Sequence, residues 1–389
     1  MKDSFSFKNK IFREIKRLTF QLLNLPAYIF QYFFNNLYYT IFLENKKIIT
    51  KGKIPFKEKI AIFLIYPNLG VDKSHLRTLE HLIERGYSPL VVSNLKLNEI
   101  DKDLISSKTI YLIERSNFGY DFGGYRDGVL FLANKISSLK KLILINDSCF
   151  LISASGSNDW VDFVDKSEKD LIGASSHFGY RKPSFNQALK NLSNLDFNFT
   201  YKSKNFHYAS FALGISNDIL KNPKFLKYWS SLKLSGKKNI VVRRGEIGFT
   251  KWVLKNKTYT HESLLDSSKI PDFLRGFDDE KLKEIIKNLI VENNKLLRLK
   301  TFYVSKIDEL SKKELINLIM FNISRYNLAY SMANFIIEDL NFPFFKKIIF
   351  RLNKQSAEQG LLIASKKGFS EEIYRDKNLN IFLTQSKQI

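Results

Sequence analysis

Four short apolar runs separated by helical spacings or glycine-rich turns constrain this chain most. Residues 60–66 (Ile-Ala-Ile-Phe-Leu-Ile-Tyr) are continuously apolar and close at Pro67-Asn68-Leu69-Gly70. Such runs suit strands buried on both faces of a sheet. Residues 72–85 then place Leu76, Leu79, Leu82 and Ile83 on one helical face, and Gly86 ends them. Further strands are predicted over 89–93, 109–113 and 141–145, with a helix over 126–137 between the last two. This alternation implies an α/β fold with a mostly parallel sheet and right-handed crossovers. Ligands of such sheets bind beyond the carboxyl ends of the strands, so the residues following each strand are the candidates.

After the third strand comes Arg115-Ser-Asn117-Phe-Gly119-Tyr-Asp121-Phe-Gly123-Gly124-Tyr125-Arg126-Asp127. Its three glycines permit positive φ and close backbone approach. Asn117 and Asp121 can hydrogen-bond a base or ribose, and Arg115 and Arg126 can meet phosphates. Asp127 reads as a helix N-terminal residue. After the fourth strand comes Asn146-Asp147-Ser148, where one carboxylate between small oxygen-bearing side chains can take a divalent cation or a sugar hydroxyl.

The amino-terminal segment bears on location. Residues 18–43 form a run of 26 without a charge, rich in Phe and Tyr but interrupted by Gln21, Asn24, Pro26, Gln31, Asn35 and Asn36. Lys8, Lys10, Arg13, Lys16 and Arg17 precede it, and Lys46 and Lys47 follow. Basic flanks around an aromatic, amide-broken body describe a helix lying in a membrane interface. A helix packed on the main domain is the alternative, and a true span fits the composition least. No short apolar core followed by a small-residue cleavage site marks a signal peptide. Residues 1–50 are thus expected to form a membrane-associating helical segment. Residues 51–59 read as a linker opening a main domain over 51–275. Residues 276–350 read as a helical extension and 351–389 as a basic, partly ordered tail.

Composition excludes several classes. The 389 residues hold 62 Lys+Arg and 39 Asp+Glu, a formal charge of +23, and 44% are hydrophobic. That hydrophobic share removes a disordered chain from consideration. The single cysteine, Cys149, removes a disulfide framework and thiolate metal centres, and it reads as an inert buried residue. His75, His81, His177 and His261 have no partners that the sequence reveals. Trp160, Trp229 and Trp252 read as core, with a sugar-stacking face open for one of them. The positive charge draws polyanions such as anionic lipid, phosphorylated substrates or nucleic acid. No RNA- or DNA-binding motif and no basic stripe appear, so nucleic acid is not expected as a partner. A nucleic-acid-binding or scaffold protein on the same fold is the runner-up.

The strings Asn117-x-Gly119-Tyr-Asp121-Phe-Gly123-Gly124-Tyr125 and Leu-Ile-Leu-Ile-Asn146-Asp147-Ser148 resemble the rhamnan synthesis protein F family of bacterial glycosyltransferases. The resemblance continues through His207-Tyr-Ala-Ser210, Tyr228-Trp229 and Arg243-Arg244-Gly-Glu246-Ile-Gly248-Phe-Thr250, and ends near Asn341-Phe-Pro343-Phe-Phe-Lys346. Two departures are Ala209, where the family usually has Gln, and a loosely matched carboxyl-terminal region. The resemblance implies a GT-A-like single Rossmann-type sheet with flanking helices. It implies transfer of a sugar, often L-rhamnose from dTDP-rhamnose, to a lipid-linked saccharide in O-antigen, capsule or cell-wall polysaccharide synthesis.

The sites follow from that class. Asn117, Gly119, Asp121, Gly123, Gly124, Tyr125 and Arg126 would hold the nucleotide. Asn146-Asp147-Ser148 stands where relatives of the fold carry Asp-x-Asp, so Asp147 would take Mg2+ or Mn2+ weakly or not at all. Arg243 and Arg244 would then neutralise the diphosphate. Glu246 is the expected base, with His207 as competitor. The location implied is the cytoplasmic face of the bacterial inner membrane, peripheral or monotopic, on an anionic surface.

Overall fold

The computed structural model describes residues 2–152, 159–376 and 379. Eleven strands are found among them: β1 Ile48–Lys51, β2 Lys59–Ile65, β3 Ser88–Ser93, β4 Tyr111–Glu114, β5 Lys141–Asn146, β6 Cys149–Leu151, β7 Leu171–His177, β8 His207–Tyr208, β9 Ala212–Ser216, β10 His261–Leu265 and β11 Phe344–Lys346. One sheet runs in the order β1-β4-β3-β2-β5-β9-β7-β10, with β8 beside β7. β4, β3, β2 and β5 are mutually parallel, and β10 is parallel to β7. β1 and β9 run against their neighbours. The expected mostly parallel sheet is therefore present.

The chain lays β3 and β4 to one side of β2, then returns to place β5 on the other. The strand order thus reverses between β2 and β5, where open α/β sheets leave a crevice beyond the strand ends. The even residues of β2 (Ile60, Ile62, Leu64) face Phe122, Tyr125, Val129, Trp229 and Phe249. The odd ones (Ala61, Phe63, Ile65) face Leu79, Leu82 and carboxyl-terminal residues including Leu315, Ile319 and Phe345. Alternation of side chains across a strand sorts the two cores.

Several boundaries differ from expectation. The helix expected over 126–137 is Tyr120–Phe131, so Asp127 lies inside it and is buried. Its glycines signal a loop by propensity, each costing about 1 kcal/mol in a helix. Close packing overrides this, because a Cβ on Gly124 would stand 2.2 Å from Leu64 Cδ1 on β2. Gly119, at φ +85°, is the left-handed residue that starts the helix.

The linker reading of 51–59 also shifts. Lys51 ends β1, which pairs Ile49 with Ile113 and ties the amino-terminal segment to the sheet edge. The helices of residues 276–350 pack on the core, where Leu282, Ile286, Leu315, Ile319 and Phe345 fill one sheet face. The region after 351, expected as a partly ordered tail, is packed as far as residue 376. Helices Lys354–Lys366 and Ser370–Arg375 bury Ile363, Ala364 and Ile373. Its last residues, apart from buried Leu379, lie outside the described ones.

The amino-terminal run is helical over Lys2–Tyr38, followed by a wide turn over Tyr39–Leu43. Among the described residues no helix is long and apolar enough to cross a membrane. Phe12, Leu22, Leu23 and Phe33 on this helix are more than 60% exposed. Its carboxyl-terminal end is docked. Tyr39 is buried and bonded to Asp127, with the guanidinium carbons of Arg115 and Arg126 each 5.6 Å from its ring.

Candidate functional site

A cavity of about 490 Å³ opens at the crevice between the carboxyl ends of β2 and β5. Its carboxylates are Asp121, Asp147, Glu246 and Asp376; its cations are Lys238, Lys346, Lys347 and Arg351. The strand-following positions singled out by the parallel-sheet rule therefore do converge, at Tyr66 after β2 and Asn146-Asp147-Ser148 at the end of β5.

Asp147 is the most firmly held. Its backbone N–H bonds Leu64 O at 3.1 Å, continuing the β2–β5 pairing. Its Oδ2 accepts the Tyr66 N–H at 2.7 Å and lies 3.2 Å from His75 Nε2. His75 Nδ1 accepts the Asp72 N–H at 2.9 Å, so Nε2 carries the ring proton and donates it to Asp147. Burial alone would raise the Asp147 carboxyl. The His75 hydrogen bond, Lys347 and the Tyr66 N–H outweigh burial and leave it below the usual carboxylate range.

Asn146 and Ser148 serve their neighbours. Asn146 Nδ2 donates to Asp121 Oδ2 at 3.0 Å, and its Oδ1 accepts the Ser148 N–H and hydroxyl at 3.1 and 2.6 Å. Lys346 Nζ reaches Ser148 Oγ at 3.2 Å while lying 4.0 Å over the Phe211 ring. Asp121 is pushed up to about 6, first by burial and then by the charges of Glu246 and Asp147, with Lys346 and Lys238 pulling the other way. Asp121, Asp147 and Glu246 thus share one pocket, and their mutual repulsion adds to burial at Asp121.

Glu246 sits where a wide turn over Val242–Glu246 enters the helix Ile247–Lys255. Its Oε1 accepts the Ser210 N–H at 2.9 Å, and its Oε2 is 3.8 Å from His207 Nε2. His207 Nδ1 donates to Asn205 O at 2.7 Å, which leaves Nε2 facing the carboxylate. Both expected acid–base residues therefore stand together, with Glu246 on the cavity wall and His207 behind it.

Of its polar members the glycine string contributes Tyr120 and Asp121 to the cavity. Tyr125 is buried and bonds Ser210 O at 2.8 Å, and Gly123 and Gly124 pack against Phe118 O and Leu64. Arg115 is buried on Asp127, Asn94 and Phe118 O at 2.7, 2.6 and 2.6 Å. Arg126 meets Glu44 and Asp127 at 3.5 and 3.4 Å. Both arginines anchor the amino-terminal segment instead of facing a phosphate. Asn117 forms the turn entering the helix, its carbonyl accepting the Tyr120 N–H at 3.4 Å. Arg243 is exposed and Arg244 donates to Lys233 O at 3.2 Å; neither lines the cavity.

The cavity's cations come from elsewhere. Lys346 and Lys347 lie at and just after β11, which pairs Lys346 with Cys149. Lys347 bonds Asp376 at 2.8 Å. The histidines read as lacking partners have them: His75 on Asp147, His81 on Asp159 at 2.8 Å, His177 on Ser175 Oγ at 3.0 Å and His261 on Tyr208 OH at 2.6 Å. Trp160 and Trp229 are fully buried and Cys149 is buried, as expected.

The residues fit a lysine-neutralised anion better than a protein-held metal. Asp147 Oδ2 is already shared between two donors, and Lys346 and Lys347 line the same cavity. Among the described residues no three His, Cys, Asp or Glu side chains group as a metal centre. No chemical step is therefore assigned to Mg2+ or Mn2+.

Solved structures with some likeness include core-mannan synthase A from Aspergillus fumigatus in a Mn/GDP form, at 9% identity and TM-score 0.26 over 45% of this chain and 64% of that one. The glycosyltransferase GlyE of Streptococcus pneumoniae TIGR4 shows 10% identity and TM-score 0.27 over 74% and 64%. Likenesses at that level do not bear on activity. An uncharacterized protein, y4gN, of Sinorhizobium fredii is 32% identical over 243 residues, 62% of this chain and 58% of its own length. Virulence protein VirA of Vibrio anguillarum is 33% identical over 95 residues, 24% of this chain and 31% of its own. The chain thus spans less than two thirds of these relatives. The model of rhamnan synthesis protein F matches residues 90–364, which include β3 to β11 and nearly the whole cavity wall, and the chain belongs to that family.

Proposed function

We propose that the protein is a glycosyltransferase of polysaccharide synthesis, taking a sugar from a nucleotide-sugar donor, dTDP-rhamnose first among candidates, to a lipid-linked saccharide. The observation that carries this reading is the pairing, in one crevice at the strand reversal, of lysines on one wall with a hydrogen-bonded carboxylate on another. Lys346 and Lys347 would neutralise the donor diphosphate as the bond to the anomeric carbon breaks. Asp147, fixed by His75 and Tyr66, would hold a sugar hydroxyl. Glu246, held by Ser210, would take the proton of the acceptor hydroxyl as its oxygen attacks the anomeric carbon from the opposite side, with inversion. His207 Nε2, 3.8 Å behind, offers that proton a next site.

The exposed aromatic helix and its basic flank support placement on an anionic membrane surface, at the cytoplasmic face where lipid-linked intermediates are built. Thermal-shift titration with dTDP, UDP, GDP and CMP, each with and without Mg2+ or Mn2+, tests the reading. Selective stabilisation by dTDP, near 2.7 kcal/mol at about a hundredfold excess over Kd, is the expected result. No response to any nucleotide would sink it.

A further inference from the structure

Residues 233–244 hold five basic side chains, Lys233, Lys237, Lys238, Arg243 and Arg244, and no acidic one. The segment lies against the docked end of the amino-terminal helix. Asn35 Nδ2 is 3.4 Å from Ser235 Oγ, and Lys233 Nζ is 5.2 Å from the Phe33 ring centroid. From the other side Tyr120 OH donates to Gly236 O at 3.2 Å, beside Asp121. Lys237 and Lys238 are exposed, and Lys238 also lines the cavity. One short loop therefore joins an apolar surface to the reacting carboxylates.

On the helix side, Phe33 beside Lys233 is 64% exposed, and Leu37, Ile41 and Phe42 further along the chain are 51–53% exposed. Lys16 and Arg17 lie about 20 residues earlier, roughly 30 Å along the helix, and are well placed for a generic anionic bilayer. The 237–238 pair has a different position, both exposed and Lys238 on the cavity wall. A ligand meeting all of these features has an apolar tail for the helix, a multiply charged anion for the lysines and a head that reaches Glu246.

We propose that Lys237 and Lys238 form a binding site for the diphosphate of a lipid diphosphate acceptor, with its hydrocarbon tail along residues 37–42. This rests on the transferase reading above and names the acceptor's docking site within it. The lysines act as point charges on a diphosphate, which phosphatidylglycerol, with one charge per lipid, matches less well. The donor diphosphate keeps the opposite wall, at Lys346 and Lys347.

The test is flotation of the full chain with two vesicle types of equal surface charge. One is phosphatidylcholine with a few mole per cent farnesyl diphosphate; the other is phosphatidylcholine with phosphatidylglycerol. The wild type is expected to bind the diphosphate vesicles about tenfold more tightly, a difference worth about 1.4 kcal/mol. Lys237→Ala/Lys238→Ala should lose that preference while still binding phosphatidylglycerol, and Lys16→Ala/Arg17→Ala should weaken both kinds equally. Absence of preference in the wild type, or its survival in the 237/238 variant, overturns the proposal. Nucleotide titration of the same preparations separates the two failures. Nucleotide stabilisation without vesicle preference defeats this site alone, and vesicle preference without nucleotide response defeats the transferase reading while the lipid diphosphate site stands.

Discussion

His75 Nε2 donates to Asp147 Oδ2 across 3.2 Å, and the same imidazole accepts the Asp72 N–H that opens the helix Lys73–Glu84. One ring thus couples a helix start to the carboxylate at the tip of β5. His75→Ala should cost about 1–3 kcal/mol in chemical denaturation, because the Asp72 N–H and the Asp147 carboxylate each lose a buried partner. Sugar transfer should fall by at least about tenfold if Asp147 must be held still. Unchanged transfer rates would remove Asp147 from the chemistry.

Glu246→Gln separates base from scaffold. The amide oxygen can still accept the Ser210 N–H, so melting temperature should stay close to wild type. The turnover number should drop about 10²–10⁴-fold, the usual worth of a positioned base. Full activity in this variant would pass the role to His207 or dismiss it.

Asp121 gives a pH signature. Its folded-state pKa, about 6, lies above the unfolded value, so its contribution to stability is complete below about 4 and is lost as pH rises through 6. Asp121→Asn removes that loss. The variant should match the wild type near pH 4 and exceed it by on the order of 1–3 kcal/mol above pH 7. Denaturation curves at four pH values between 4 and 8 would show it; a constant offset would contradict the shared-charge picture.

Lys346→Ala should weaken nucleoside diphosphate binding about tenfold, as expected for one charge-assisted contact, with little change for the free nucleoside. Isothermal titration measures both. Equal losses for both ligands would place the lysine on the base or sugar instead.

At the base of the amino-terminal helix, Asp127 serves Tyr39, Arg115, Arg126 and Lys47 together. Asp127→Ala strands two buried guanidinium groups and should cost about 3–5 kcal/mol. Tyr39→Phe, which keeps the ring between the arginines, should cost about 1 kcal/mol. Comparable losses in the two variants would mean that the hydroxyl, not the charge network, holds the segment.

The sheet was legible because its central strands are buried on both faces, which leaves unbroken runs such as Ile60 to Ile65. The strand-end residue Asp147 was legible for a related reason: a charged side chain beside a run of buried ones needs a purpose. The helix over Tyr120–Phe131 was hidden because glycine opposes helix locally, and only Leu64 on another strand explains it. Arg243 and Arg244 misled because both lie on the wide turn Val242–Glu246, where Arg243 is exposed and Arg244 is held by the Lys233 carbonyl, away from the cavity. Lys346 and Lys347 carried no local signal at all. Their place depends on Phe345 pairing with Phe150, nearly 200 residues earlier.

That pairing also has a consequence in time. The carboxylates Asp121, Asp147 and Glu246 all emerge from the ribosome before Lys346 and Lys347, and β6 waits unpaired until β11 is made. A nascent chain can build its parallel sheet early, yet its crevice stays negatively charged and without the Lys346–Lys347 wall through a further hundred residues of synthesis. Only after that interval can the pairing of β6 with β11 bring the two lysines to face the carboxylates.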